Sequence, residues 1–159
     1  MPKEPKGARN VVAKKKPAAS ANPRPVDALP AFLSLDFVYV PCSDPERDFD
    51  YYTKVLGGVP IFRIKAMNTE VAGIRLSQDG PLVLLAEHLE GAIPVLVYRV
   101  ENFKKSKVAL RRRGWKPDDE FEIPHGPCAI FAAAGGQRLA IYELTRPDAN
   151  EHFAGRFDV

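Results

Sequence analysis

The sequence has little cysteine and no long apolar run, and these two absences exclude several classes of protein. Two cysteines among 159 residues do not make the disulfide framework of a small secreted domain. No run approaches the ~18 apolar residues that a membrane-spanning helix needs, and the N-terminus lacks the apolar segment of a signal peptide. We therefore expect a soluble cytoplasmic protein with no membrane partner.

The sequence also has little net charge outside its N-terminal tail. Residues 1–33 contain seven Lys or Arg against two acids, whereas the other 126 residues contain sixteen against eighteen. The tail is rich in proline, alanine and lysine, and it has hardly any large apolar side chain before Phe32, so we predict that it is disordered. Lys14–Lys16 and Arg24 keep nucleic-acid binding open as an alternative. Because the tail has no aromatic residue before Phe32 to stack on bases, a solvated tail is the favoured interpretation.

The rest of the chain begins with a strand and a capped helix between Ser34 and Gly58. Side chains alternate from Leu35 to Val40 with the period of two that is typical of a β-strand. Ser43 or Asp44 can then accept hydrogen bonds from the first amides of a helix. The predicted helix starts at Pro45, presents one apolar face and stops at a double glycine, with the residues Phe49, Tyr52, Leu56, Gly57 and Gly58.

The same order of elements occurs a second time, from Pro94 onward. A short β-rich run precedes Glu101-Asn102, and a helical pattern follows that ends at Gly114. Each helix is followed by three apolar runs, at 59–66, 70–76 and 82–89 and again at about 120–123, 127–133 and 138–144. We therefore predict a duplicated βαβββ unit, with module one at 34–91, module two at 92–145 and an α+β fold.

Residues 146–159 form a polar C-terminal extension with two aromatic residues, Phe153 and Phe157. Three interpretations stay open: a frayed end, aromatic packing on the outside of the sheet, or packing on a partner subunit.

Two βαβββ modules with these motifs resemble the vicinal oxygen chelate superfamily, which includes glyoxalases, extradiol dioxygenases and bleomycin-resistance proteins. The motifs that carry the resemblance are LDFVYVPCSDPERDFDYYTKVLGG, VLVYRVEN and GGQRLAIYEL, within residues 34–145. The resemblance implies that each module curls its strands into half of a cup, in one mixed sheet. It also implies that a ligand or metal lies on the concave side and that the protein is a homodimer.

Metal-dependent members of this superfamily hold a divalent cation with side chains from four strands. The matching positions in this sequence are Phe37, Leu84, Val95 and Ala140, none of which offers a lone pair to a metal. The resemblance therefore implies a non-catalytic binding protein with no metal and no cofactor. The alternative is a metal-dependent lyase or dioxygenase with displaced ligands such as His88, His125 and Glu87.

The cup should then hold a small aromatic or amphipathic ligand, because the side chains that share its face are mostly apolar and aromatic. Arg99 stands among apolar neighbours and needs a carboxylate or phosphate, from either a local acid or the ligand. We assign no catalytic residue. The predicted ligand-binding residues are Phe37, Tyr39, Leu84, His88, Val95, Val97, Arg99 and Tyr142.

Overall fold

The computed structural model describes residues 31–159. Of the predicted disordered tail, residues 1–30 lie outside this part. The last residues of the predicted tail contact the sheet. The Phe32 ring packs on Tyr98 with a centroid separation of 5.3 Å, and the Leu33 amide donates to the carbonyl of Arg99. No helix in the described part of the chain is long and apolar enough to cross a membrane.

The chain contains two βαβββ modules followed by a short helix. Module one consists of β1 (Ser34–Pro41), α1 (Pro45–Asp50) with a π-helical continuation (Tyr51–Val55), β2 (Val59–Ala66), β3 (Thr69–Arg75) and β4 (Leu82–Ala86). Module two consists of β5 (Val95–Val100), α2 (Phe103–Arg111), β6 (Asp119–Ile123), β7 (Gly126–Ala132) and β8 (Arg138–Glu143), and α3 (Ala149–Phe153) follows it.

All eight strands form one mixed sheet in the order β2-β3-β4-β1-β5-β8-β7-β6. The two halves have the same internal order, because β1 pairs with β4 in parallel as β5 pairs with β8. The halves join through β1 and β5, which pair antiparallel. The predicted α+β fold with two βαβββ units in a curled sheet is confirmed.

Both main helices begin at the residues that the sequence indicates. The Asp44 side chain accepts a hydrogen bond from the Arg47 amide at 3.1 Å, and Asn102 accepts one from the Lys105 amide at 2.9 Å. These side chains satisfy amide groups that have no partner inside the helix. Gly57 takes a φ of +72°, the left-handed conformation that favours glycine after a helix.

The face predicted for the first helix is wrong at one position. Phe49 and Tyr52 pack against the sheet, but Leu56 is 48% exposed. The helix widens after Asp50, and the Leu56 amide donates to the Tyr51 carbonyl five residues earlier. Because a π-helical turn contains more residues than an α-helical turn, side chains beyond Tyr52 no longer follow the 3.6-residue period.

Strand β4 is shorter than its apolar run suggests, which also corrects the position of His88. The prediction extended this strand to Leu89, but it ends at Ala86, opposite Pro41 at the end of β1. The Leu89 amide then turns back to the Ala86 carbonyl. His88 consequently lies in an exposed turn and does not share the inward face of Leu84.

Helices cover one face of the sheet and leave the other face for a separate core. Under α1 the buried residues are Cys42, Ala72, Ile74, Val83 and Leu85, and under α2 they are Val100, Phe103, Ala129, Phe131 and Ile141. The opposite, inner face carries a third buried cluster: Phe37, Phe62, Leu84, Val95, Val97, Cys128, Ala140 and Tyr142. Both cysteines are buried, as predicted.

Residues 146–159, the C-terminal strap, pass from module two to the edge of module one. At the start of the strap, the Arg146 amide donates to the His125 carbonyl at 3.0 Å. At its end, the Gly155 amide donates to the Ile61 carbonyl, and Phe157 forms a parallel bridge with Arg63. The strap therefore covers part of the outer edge of β2.

Burial of Cys128 predicts a loss of stability at alkaline pH. Burial raises the pKa of this thiol from 9.0 to about 12, so the folded protein keeps a proton that the unfolded chain releases. The stabilisation is complete below pH 9 and disappears as the pH rises toward 12. A single such group steepens the decline in the free energy of unfolding by at most about 1.4 kcal/mol per pH unit.

Urea denaturation of the wild type and of Cys128→Ala at several pH values between 7 and 11 measures this effect. We expect a shallower decline above pH 9 in the variant, although a residual slope persists because burial also raises the pKa of Cys42 and that of Tyr39 to about 12. Equal slopes in the two proteins would contradict the assignment.

Candidate functional site

A cavity of about 480 Å³ opens on the inner face of the sheet. It lies at the end of the cup where β1 and β4 begin and where β5 and β8 end. Both modules and the strap contribute to its walls. The lining residues are Ser34, Leu35, Asp36, Phe37, Ile61, Phe62, Arg75, Asp79, Gly80, Leu82, Arg99, His125, Tyr142, Leu144, Pro147, Asn150, Glu151 and Ala154.

A β-bulge places an acid in this cavity. The register between β1 and β5 shifts between Leu35 and Phe37, so Asp36 is an extra residue on β1. Regular alternation would put Asp36 on the face opposite Phe37. Because the bulge interrupts the alternation, the Asp36 carboxylate lies on the inner face beside Phe37.

Three side chains surround the Asp36 carboxylate. The Tyr142 hydroxyl donates to Oδ2, the Ser34 hydroxyl donates to Oδ1 at 2.5 Å, and the Arg99 Nε lies 3.3 Å from Oδ2. The Arg99 Nη2 also donates to the Ser34 hydroxyl at 3.3 Å. Arg99 thus has a local acid as its ion partner, one of the two alternatives left open by the sequence.

The guanidinium of Arg99 keeps hydrogen-bonding capacity toward the cavity. Its Nε is within ion-pair distance of Asp36, but the N–H does not point at the carboxylate, and this buried atom has no hydrogen bond in residues 31–159. Buried polar atoms without a partner are uncommon in folded proteins. The side chain is still 36% exposed, so its outer nitrogens are accessible to a molecule in the cavity.

Tyr142 is a neutral hydrogen-bond donor at this site. Burial raises the pKa of the phenol well above its ordinary range, and the hydrogen bond to Asp36 raises it further. The ring lies 5.5 Å from Phe37, measured between centroids. The phenol therefore holds the carboxylate in place and does not act as an acid near neutral pH.

His125 forms another wall of the cavity and connects it to the strap. Its Nε2 lies 2.7 Å from the Asn150 Oδ1, and its ring packs 4.6 Å from the Phe37 ring. The side chain is buried, and its Nδ1 has no partner in the described part of the chain. A single hydrogen bond from α3 thus orients this imidazole.

The structure separates the eight predicted ligand-binding residues into three groups. Phe37, Arg99 and Tyr142 line the cavity. Another four belong to the packed inner face without lining the cavity: Leu84, Val95 and Val97 are buried, and Tyr39 packs against them. His88 is exposed, and its Nδ1 lies 3.4 Å from the Thr69 hydroxyl, beyond the opposite end of β4 from the cavity.

The four strand positions that would carry metal ligands converge, but their chemistry does not fit a cation. Phe37, Leu84, Val95 and Ala140 belong to one buried cluster and are each 2–4% exposed. Hydrocarbon side chains supply neither oxygen nor nitrogen donors. This part of the cup is occupied by packed side chains.

The alternative metal ligands suggested by the sequence, His88, His125 and Glu87, do not come together in one cluster. The carboxylate of Glu87 accepts a hydrogen bond from the Glu70 amide at 3.0 Å, and His125 is turned toward Asn150. Between residues 31 and 159, no group of three or more His, Cys, Asp or Glu side chains has a metal-binding arrangement.

Solved structures share this architecture at low sequence identity. Methylmalonyl-CoA epimerase from Mycobacterium tuberculosis aligns with 77% of this chain and 95% of its own, at 15% identity and a TM-score of 0.62. Hypothetical protein BH1468 from Bacillus halodurans C-125 aligns with 71% of this chain and 95% of its own, at 11% identity and a TM-score of 0.60. The chain has the vicinal oxygen chelate fold.

Another structure with this fold was solved with a small molecule. A single-residue variant of Streptomyces coelicolor methylmalonyl-CoA epimerase, in complex with 2-nitronate-propionyl-CoA, aligns with 72% of this chain and 96% of its own, at 12% identity and a TM-score of 0.57. No family model and no curated protein matches the chain. The likeness therefore establishes the vicinal oxygen chelate fold and leaves the function to the site itself.

Sequence reasoning missed the acid and the far wall of the cavity. Asp36 falls on the outer face in a regular strand, and no signal in the sequence marks the bulge. Asn150, Glu151 and Ala154 belong to an extension whose packing the sequence left open. Burial of Phe62 could be predicted, since it is a large apolar residue on a predicted strand. The face on which it lies could not be assigned without the pairing register of β2 with β3.

The contact between Tyr142 and Asp36 can be tested by removing one oxygen. Tyr142→Phe takes away a donor to the partly buried carboxylate of Asp36, and hydrogen bonds to charged groups contribute about 1.5–3 kcal/mol. We expect the variant to lose about 1–3 kcal/mol in its free energy of unfolding at pH 7, measured by urea denaturation. The matched control is Tyr98→Phe, whose ring packs on Phe32 on the opposite face. It should change stability by less than about 0.5 kcal/mol, and equal losses in the two variants would rule out a special role for the Tyr142 hydroxyl.

Proposed function

We propose that this protein binds a small aromatic or amphipathic molecule in the inner-face cavity and sequesters it without metal-dependent catalysis. One observation carries the proposal: hydrocarbon fills the four strand positions that the resemblance matches to metal ligands, while a separate cavity remains open beside them. An enzyme that polarises its substrate through a metal needs donor atoms at the metal. A binding protein needs only shape and a few polar groups.

The cavity has the size and composition of a small-molecule site. Its volume of about 480 Å³ lies within the ~300–1,000 Å³ of ligand pockets. Phe37, Phe62 and Leu82 supply an apolar surface for the body of a ligand. Arg99 supplies donors for a carbonyl, hydroxyl or acidic group, because Asp36 occupies only part of its guanidinium. These contacts favour a ligand with an apolar ring or chain and one polar end.

We further propose that the protein acts as a homodimer in the cytoplasm, as the resemblance to the superfamily implies. Analytical ultracentrifugation tests the first of these statements: a single species with twice the chain mass is expected at micromolar concentration. A single species of one chain mass would contradict it.

A thermal-shift screen tests binding directly. The probes are aromatic antibiotics, S-lactoylglutathione, catechol and propionyl-CoA, each added in excess to the purified full chain. A ligand that binds only the folded state stabilises it by about 2.7 kcal/mol at a concentration of 100 times its dissociation constant. We expect at least one probe class to raise the melting temperature in a saturable manner.

A cavity-filling variant then assigns the binding to this site. Leu82→Trp puts a larger side chain into the cavity and should weaken binding of the identified probe by about tenfold or more. Leu76→Trp makes the same substitution at a 45% exposed position outside the cavity and should leave affinity within about twofold. Circular dichroism should first establish that both variants fold. If Leu82→Trp binds as the wild type does, the ligand occupies another site and the proposal fails.

A further inference from the structure

The C-terminal strap forms one wall of the cavity. Pro147, Asn150, Glu151 and Ala154 face the cavity from one side, and Arg75, Asp79 and Leu82 of module one face it from another. A molecule that enters or leaves must pass between these walls or through the sheet. Because the sheet is paired continuously, the strap is the wall whose displacement would widen the cavity.

Three separate attachments hold the strap over the cavity. The first is at its start, where the Thr145 and Arg146 amides both donate to the His125 carbonyl at 3.0 Å. The second is in α3, where Asn150 contacts His125 and the Phe153 ring packs 5.6 Å from the Phe62 ring.

The third attachment is the pairing with the edge of β2. The Gly155 amide donates to the Ile61 carbonyl at 2.8 Å, the Arg63 amide donates to the Arg156 carbonyl at 2.8 Å, and the Asp158 amide donates to the Arg63 carbonyl at 2.9 Å. The strap thus bridges module two and module one.

These attachments are weaker than those of the sheet beneath them. Ala149 is buried and Phe153 is half-buried, whereas Glu151, His152 and all residues from Ala154 to Val159 are exposed. A segment with few buried apolar contacts and solvent-exposed backbone hydrogen bonds opens at a lower free energy than the core. The strap can therefore detach while the eight-stranded sheet stays folded.

We propose that the C-terminal strap is a lid that gates the cavity: its release from Phe62 and from the β2 edge admits and discharges the ligand. This inference rests on the proposed binding function. Asn150 links the lid to the site, because its side chain is the only hydrogen-bond partner of the His125 ring in the described residues. In its attached position the strap orients that imidazole beside the cavity.

Hydrogen exchange on the full chain tests the release without any ligand. The Arg63 amide reports on the strap, because its hydrogen-bond acceptor is the Arg156 carbonyl. In Phe153→Ala, which removes the ring on Phe62, we expect this amide to exchange about tenfold faster than in the wild type. The amides of β1 and β5 should be unchanged. The control is His152→Ala, an exposed position on the same helix, which should leave the Arg63 amide unchanged.

Stopped-flow fluorescence with 1-anilinonaphthalene-8-sulfonate then tests the gating. Phe153 does not line the cavity, so Phe153→Ala should raise the association and dissociation rates of this probe together, each by about tenfold, with the dissociation constant within about threefold of the wild type. Unchanged rates in a variant whose Arg63 amide exchanges faster would overturn the lid while leaving the binding function intact.

A wild type that binds neither this probe nor any molecule of the thermal-shift screen would overturn the binding function. Exchange of the Arg63 amide only through global unfolding would overturn the lid independently.

Discussion

The antiparallel pairing of β1 with β5 is the constraint on which the structure depends. Each module leaves the outer edge of its first strand without a partner, and an unpaired edge in a folded protein invites aggregation. Joining the two edges makes one eight-stranded sheet and brings equivalent strands of the two modules side by side. Of the two strands left at the ends, β2 is partly covered by the strap, and β6 carries the acidic residues Asp119, Glu120 and Glu122.

The same seam determines what the inner face can do. It aligns Phe37 with Val97, and Val97 with Ala140 on the next strand, so a row of hydrocarbon crosses the middle of the cup. The bulge in β1 lies one step beyond this row and brings Asp36 inward. A carboxylate that is partly removed from water needs partners, because desolvation of an unpaired charge is costly. Tyr142, Ser34 and Arg99 supply them, which concentrates the polar groups of the cup at the end where the cavity opens.

Much of the fold could be predicted, because it depends on local patterns. Alternation located β1, and apolar or β-rich runs located the other seven strands. The caps at Asp44 and Asn102 located the starts of both helices. The two failures have different causes, one in strand pairing and one in local helix geometry. β4 stops where its neighbour β1 reaches Pro41, and the π-helical turn moves Leu56 out of register.

The site was predicted less completely than the fold, since it depends on register and on a distant segment. Phe37, Arg99 and Tyr142 follow from alternation along their strands, and all three line the cavity. Asp36 reaches it only through an irregularity of pairing. The strap residues reach the cavity because Phe153 packs on Phe62, about ninety residues away in the sequence. The local sequence of the strap favours no single packing. Long-range contacts of this kind leave no periodic trace in a sequence.

The central proposal is that the centre of the cup, which is packed with hydrocarbon side chains, holds no metal ion. The most direct test is elemental analysis by mass spectrometry of the full chain, purified without chelators and dialysed against a mixture of Mn, Fe, Ni and Zn salts. The account predicts well under about 0.1 metal ion per chain, because Phe37, Leu84, Val95 and Ala140 offer no donor atoms. About one tightly held metal ion per chain would contradict it.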